Sequence, residues 1–516
     1  MKKKYVIFTL IILILLAITF TYFSTLKQNN IYKEESVKLT KITKGISMNL
    51  EQTAGAGDYK TVTQSGWPTD GYQLNTELSR CENGSTLSWD DTKKVVIVSG
   101  NLSDKCYVYF DKVFTLTSYV ISQYTGTQGD NALYYHTSTL TNGSGDNSYR
   151  YAGGDYVLTE KAITDGMKSL TSSSNTATDG ITNFYCGGER LYLHDNHLYE
   201  YCDTNSSTYY FALQYDTSNT QYKTYNEALD KAVSDGYLTK DNVKNFVCFG
   251  SNISPCPTEN LYRIIGVFDN KVKLIKYDYA TSALLGEDGA FNETFTLADT
   301  GVEPVYRGSL TTIDYYYWNS DTRTTTWSES NLNKTNLNTN YINNIGSTWA
   351  NKIATTTWKV GGNTYDNIAG SVPATAYQNE VVNPTPGSYS TTGETEYSAK
   401  IGLIYASDYG FAASPSAWTT TLDNYDGYDD NNVAIKDTNW MYIGLNIWTI
   451  SRTAEISDRV FFVDPTGFND EGTNGNVSCL PVDNNGGSGV NVVFFLNSSV
   501  TYVSGTGTQS DPIIIN

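Results

Sequence analysis

Apolar residues follow three patterns along this chain, and the first is a single continuous run. Residues 5–23 carry no charge and are mostly apolar, with Lys2, Lys3 and Lys4 before them and Lys27 after. At about 1.5 Å of rise per residue, a helix of that length spans a bilayer core of roughly 30 Å. The leading lysines predict a cytoplasmic N-terminus, with everything beyond Lys27 outside. A cleaved signal peptide is the competing reading, but its apolar region is normally shorter and closes on a small-x-small site. This run closes on Thr21-Tyr22-Phe23-Ser24-Thr25, so an uncleaved signal anchor is expected.

The second pattern is short β-type runs separated by Gly and Asn. Val95-Val96-Ile97-Val98 reads as a strand, Ser99-Gly100-Asn101 as a turn, and Cys106-Tyr107-Val108-Tyr109-Phe110 as a second strand. Gly and Asn supply the positive φ that such turns need. Residues 261–268 and 272–275 form a hairpin about Asp269-Asn270, and further strands are read at 401–405, 440–450, 460–463 and 490–496. The third pattern is helical spacing. Thr224 and Glu227 make a capping box, Ala228, Leu229, Ala232 and Val233 share a face, and Gly236 ends that helix. Leu332, Leu337, Tyr341, Ile345, Trp349 and Ile353 recur at helical spacing behind Ser328 or Ser330. Residues 361–398 and 412–438 are polar without periodicity and read as large exposed loops.

Together these patterns predict an α+β protein on a membrane anchor. The expected order is a cytoplasmic tail 1–4, a transmembrane helix 5–23, a polar stalk 24–45, a small β domain 46–113, a middle region 114–247 and an α+β domain 248–516. The middle region contains a degenerate repeat, because Ile181-Thr182-Asn183-Phe184-Tyr185-Cys186 parallels Val243-Lys244-Asn245-Phe246-Val247-Cys248. Residues 511–516 read as a last strand, not as a wall-sorting signal.

Charge removes one class of partner. With 35 basic against 54 acidic residues the net charge is -19, which argues against nucleic acid. It also disfavours lying flat on an anionic membrane, leaving the anchor helix as the membrane contact. The 42 tyrosines, accompanied by Ser, Gly and Asn, fit a recognition surface of antibody type. The competing explanation is the codon bias of an AT-rich genome. Seven cysteines fall on the oxidising side, and six make near-neighbour pairs: Cys81 with Cys106, Cys186 with Cys202, Cys248 with Cys256. Zinc is the rival use, but no C-x-x-C occurs and no histidine sits near these pairs in a ligand pattern. Cys479 is left over.

Candidate chemistry is sparse. The loop 423–432 offers carboxylates from Asp423, Asp426, Asp429 and Asp430, with amides and Gly427 for a sharp turn. Calcium takes six to eight such oxygens, about as many as this loop supplies, so Ca2+ is the one cofactor to consider. The EF-hand order is absent, and a solvated acidic loop is the plainer reading. Trp418 and Trp440 are the candidate aromatic ligand contacts, Trp418 because it lies in a polar segment; Trp448 and Tyr405 read as core. His194 and His197 lack a third metal ligand and read as a surface turn. No Gly-x-Ser-x-Gly and no histidine placed as a base appears, so no catalytic residue is nominated.

The order of the C-terminal motifs resembles a domain of unknown function in Firmicutes surface proteins, related to the C-type-lectin-like fold. The resemblance runs through Tyr262-Arg263-Ile264-Ile265-Gly266, Trp327 to Leu332, Leu403-Ile404 with Asp408-Tyr409-Gly410, Trp448-Thr449-Ile450-Ser451, and Gly505-Thr506-Gly507-Thr508 with Pro512. It covers about half the chain. The family's Gly-Val-Arg-Pro element is here Gly489-Val490-Asn491-Val492, without the Arg-Pro. The resemblance implies a lectin-like architecture and a surface setting, and no activity. Pilin-like subunits share the plan of an apolar helix carrying a β-rich head. Their Gly before Phe-Thr-Leu-Ile-Glu is missing, however, since this chain has Phe8-Thr9-Leu10-Ile11-Ile12.

The expected function is therefore a membrane-anchored extracellular adhesin or ligand-binding protein, taking a glycan or a protein. A pilin-like structural subunit and a cell-surface glycan hydrolase are the alternatives. Protease added to intact cells is expected to remove the bulk of the chain; protection of the C-terminal region would reverse the topology.

Overall fold

The computed structural model describes residues 45–159 and 238–516, apart from short internal stretches of which 298–305, 387–392, 430–434 and 465–474 are the longest, together with strands Tyr201–Asp203 and Thr208–Tyr210 and part of 233–236. Among the described residues no helix is long and apolar enough to cross a membrane. The apolar run 5–23, the stalk, most of the helix behind Thr224, the first copy of the repeat and the Cys186–Cys202 pair lie outside the described residues. Helix and strand are mixed and strands predominate, as an α+β protein requires. The chain divides into two compact units, Met1–Phe114 and Thr115–Asn516.

In the first unit, strand Cys106–Lys112 is the axis. It runs parallel to Ile46–Glu51 and antiparallel to Tyr72–Leu74 and Arg80–Cys81. Its side chains alternate, so Cys106, Val108 and Phe110 are buried with Met48 and Leu50. Cys81 and Cys106 sit directly opposite across the sheet and form a disulfide. Val95–Ser99 is a strand as expected, but its partner is Thr86–Asp90 and not the strand after the Ser99-Gly100-Asn101 turn. The reason lies in Asp104. Its carboxylate accepts the N–H groups of Asn83 and Ser85, tying the connection between the two strands back to the start of the hairpin.

The second unit is built around the hairpin Leu261–Phe268 and Lys271–Lys276. Asp269 and Asn270 both take positive φ, which sets the tight turn the sequence predicts. Nearly every residue of the two strands is buried, so this hairpin is central and covered on both faces. On one side Lys271–Lys276 pairs with Val493–Phe495, and that strand with Ile401–Gly402. On the other, Phe246–Cys248 pairs with Leu261–Phe268 and runs parallel to the last strand, Ile513–Ile515. The division expected between residues 247 and 248 thus falls inside a strand. Leu133–Tyr135 and Tyr149–Tyr151 join the same sheet. Tyr149–Tyr151 approaches so closely that a Cβ on Gly266 would lie 2.1 Å from the Tyr149 carbonyl oxygen, which fixes glycine there. A second sheet holds Gly362–Asn363, Ile447–Thr453, Arg459–Asp464 and Asn476–Pro481.

Three expectations are corrected. The helix behind Ser330 is a π-helix, Leu332–Tyr341, capped by the Ser330 hydroxyl on the Asn333 N–H; Gly346 at positive φ breaks it from Ser347–Ala350. Residues 440–450 are not one strand, since only Ile447–Thr453 is extended. The segments 361–398 and 412–438 are not simply exposed loops. They carry short helices such as Pro373–Tyr377 and bury Ile368, Ala376, Glu380, Leu422, Tyr425 and Ile435. Single apolar residues spaced by one-turn helices leave no periodicity to read.

Among the described residues Cys248 and Cys256 form a further disulfide, and Cys479 is a free, half-buried thiol. Closing the loop between Cys81 and Cys106 stabilises the first unit by about 3 kcal/mol on the chain-entropy argument. Cys81→Ser is expected to lower the free energy of hydrogen exchange at the buried Val108 amide by about that amount. An unchanged exchange rate would show that the disulfide contributes nothing to this core.

Candidate functional site

Arg263 is the post on which the larger cavity is built. It lies in an apolar strand and is almost wholly buried, so its charge must be met. Asp155 meets it with two hydrogen bonds, of 2.7 and 2.6 Å, and Asn245 accepts from Nε at 2.7 Å. The guanidinium stacks between the rings of Phe246 and Trp440, at 4.3 and 4.6 Å from their centroids. That stack stands Trp440 upright, and its indole N–H donates to the Tyr151 carbonyl. Beyond it opens a cavity of about 400 Å3.

The far wall is a second arginine. Arg307 donates to Asp437 Oδ1 at 2.7 Å and to the Lys436 carbonyl at 2.9 Å, and lies over the Tyr442 ring. Its backbone is pinned from below. Tyr306 donates its hydroxyl to Asp278, which also accepts the Ser309 N–H, and Tyr277 donates to the Arg307 carbonyl. Burial, with Asp278 nearby, pushes the Tyr277 hydroxyl up to about 12, so it stays a donor. Asp437 Oδ2 is buried in the wall and makes no hydrogen bond within the protein. Ser510 and Gln509 form an exposed polar rim. Aromatic faces next to bonded charges, with one acceptor unused, suit a polar ligand that presents hydroxyl groups.

A second cavity, of about 260 Å3, lies over a buried charge cluster. Lys273 Nζ donates to Asp408 Oδ2 at 2.5 Å, and Arg150 Nη1 stands 3.6 Å from Asp408 Oδ1. Arg150 also bonds Asp146 and Ser148, and lies over the rings of Phe268, Tyr377 and Phe411. Burial by itself would raise the Asp146 carboxyl, but Arg150 and the Ser148 and Ser144 hydroxyls outweigh it and hold it well below the usual range. Burial pushes the Lys273 ammonium down, against the pull of Asp408. Glu380, from one of the supposed loops, accepts the N–H groups of Ala406 and Ser407 and the Ser451 hydroxyl.

The residues singled out from sequence fare differently. Trp440 walls the larger cavity. Trp418 is corrected from surface to core: it is 1% exposed, because the turn Pro415–Ala417 folds it inward against Phe411 and its indole donates to Ala413. Trp448 and Tyr405 are buried. Asp423 accepts from Thr421 and Asn424, while Asp429 is buried and accepts from Ser416, so these two carboxylates are each held by their own neighbours. Burial raises the Asp426 carboxyl, and Asp430 lies outside the described residues, as do His194 and His197. Among the described residues no group of three His, Cys, Asp or Glu is placed to hold a metal.

Arg307, Asp437 and Asp155 escaped the sequence reading because nothing in their local spacing marks them. Arg263 did carry a signal, a single charge inside an apolar strand, whereas Lys273 shares its strand with Lys271 and Lys276.

Burial raises the Glu380 carboxyl from the ordinary 4.5 to about 6. A raised acid favours the folded state while protonated, so its contribution is full below the unfolded value and is lost as pH rises through the folded one. That shift corresponds to about 2 kcal/mol. Glu380→Gln is expected to flatten the stability–pH curve over this window in urea denaturation; an unchanged slope would exclude Glu380 as its source.

No protein-family model matches this chain, and no curated protein or solved structure is significantly similar to it.

Proposed function

We propose that this chain is a membrane-anchored extracellular binding protein of a bacterial surface, an adhesin whose second unit holds a glycan in the cavity lined by Trp440 and Arg307. One observation carries the reading: Trp440 and Tyr442 offer aromatic walls beside a buried Asp437 oxygen with no partner of its own. Sugars present apolar ring faces and hydroxyl donors together, and this wall offers a complement to both. The apolar run at 5–23 supports the anchor and the outward topology. The lectin-like architecture of the C-terminal region rests on motif order alone.

Binding is favoured over hydrolysis by the state of the cavity's carboxylates. Asp155 is held by Arg263 and Asp437 by Arg307. Glycoside cleavage uses a pair of carboxyl groups flanking the bond that is cut, and these two are instead engaged by arginines of the wall. The pilin-like alternative draws only on the lollipop plan.

A glycan array probed with the full chain in detergent is expected to give a defined set of ligands. Asp437→Asn keeps the side chain's shape but exchanges the charge, and is expected to weaken those ligands by roughly tenfold, the worth of one charge-assisted hydrogen bond. Undiminished binding by the variant would place the ligand elsewhere, and a folded protein that binds no glycan would end this reading.

A further inference from the structure

Lys273 and Asp408 form a contact that ligand binding at the larger cavity does not use. Their side chains are 2% and 3% exposed, and they come from strand Lys271–Lys276 and helix Ala406–Ala412, 135 residues apart. The ammonium lies among the rings of Tyr405, Phe268, Phe495 and Trp358, at 4.7 to 5.7 Å from their centroids. An ion pair in such surroundings loses much of its hydration. Passing one proton from nitrogen to carboxylate removes both charges and leaves an amine against a carboxylic acid. Burial that lowers the lysine favours that transfer.

We propose that Lys273 and Asp408 condense without a cofactor into an intramolecular isopeptide bond that ties the central hairpin to the helix. The Lys273 nitrogen lone pair forms the new bond to Asp408 Cγ. The bond from Cγ to Oδ2 then breaks, and Oδ2 leaves as water with its own proton and one proton from nitrogen. The product is a secondary amide, with no oxidant or reductant required. Arg150 supplies what the step needs at the other oxygen. Its Nη1 is buried, makes no hydrogen bond and stands 3.6 Å from Oδ1, where negative charge develops as the nitrogen adds. The Tyr405 N–H donates to Oδ2 at 3.0 Å and holds the carboxyl in the capping position of its helix. The 260 Å3 cavity above gives the released water a way out.

The unmodified full chain tests this, so no variant has to fold. After denaturation, reduction and trypsin digestion, a free Lys273 is cut, releasing residues 274–276 and, separately, residues 401–436. A linked Lys273 resists cleavage. The expected product is residues 272–276 joined to residues 401–436, one water lighter than their sum, with fragment ions placing the link at Lys273 and Asp408. Recovery of 274–276 and 401–436 only as separate peptides would overturn the proposal.

Discussion

Three cations buried on one hairpin set the terms for the second unit. Arg263, Lys273 and Lys276 sit on the two central strands and are each 2–3% exposed. A buried cation is tolerated only when its donors are met, and none finds a carboxylate on its own hairpin. Arg263 takes Asp155, Lys273 takes Asp408, and Lys276 donates to the Glu259 carbonyl. Two of the three partners come from segments more than a hundred residues away in sequence. The hairpin therefore specifies which distant segments must return to it.

Both cavities follow from that requirement. The segment carrying Asp155 reaches Arg263 at the edge of the larger cavity, and the guanidinium stack then sets the plane of Trp440. The helix carrying Asp408 is drawn over Lys273 at the floor of the smaller one. Its first turn is held from the outside by Glu380 on the Ala406 and Ser407 amides. A substitution at Asp408 would strand the buried Lys273 charge, and one at Arg263 would free Asp155 and the ring of Trp440, so either disturbs a cavity wall. Structure and site are not separable here.

The net charge of -19 coexists with buried cations at Arg150, Arg263, Lys273, Lys276 and Arg452. Acidic residues outside keep such a protein soluble and repel other acidic surfaces. Inside, the positive groups act as fixed attachment points, each met by an acceptor brought from elsewhere. Cation–ring contacts add to this: Arg150 lies over three aromatic rings and Lys273 near four. The abundance of tyrosine thus has an interior use as well as any surface one, with Tyr262 and Tyr341 sharing a buried hydroxyl hydrogen bond.

Local rules made much of the framework legible in the sequence. The Asp269-Asn270 turn, the strands around it, the alternation of Cys106–Lys112 and the cysteine pairs Cys81–Cys106 and Cys248–Cys256 depend on neighbours or short loops. Pairing partners were less legible. Val95–Ser99 chose Thr86–Asp90 because Asp104 bound two amides across the turn, a contact no pattern of apolar residues encodes. Trp418 lay in a polar segment and is nonetheless core, since a one-turn helix can bury a single ring without periodicity. The site was the least legible part. Sequence by itself determined the hairpin on which Arg263 and Lys273 lie. Only the tertiary structure decided that Asp155 and Asp408 would answer them, because long-range ion pairing depends on where two backbones meet in space and not on spacing along the chain.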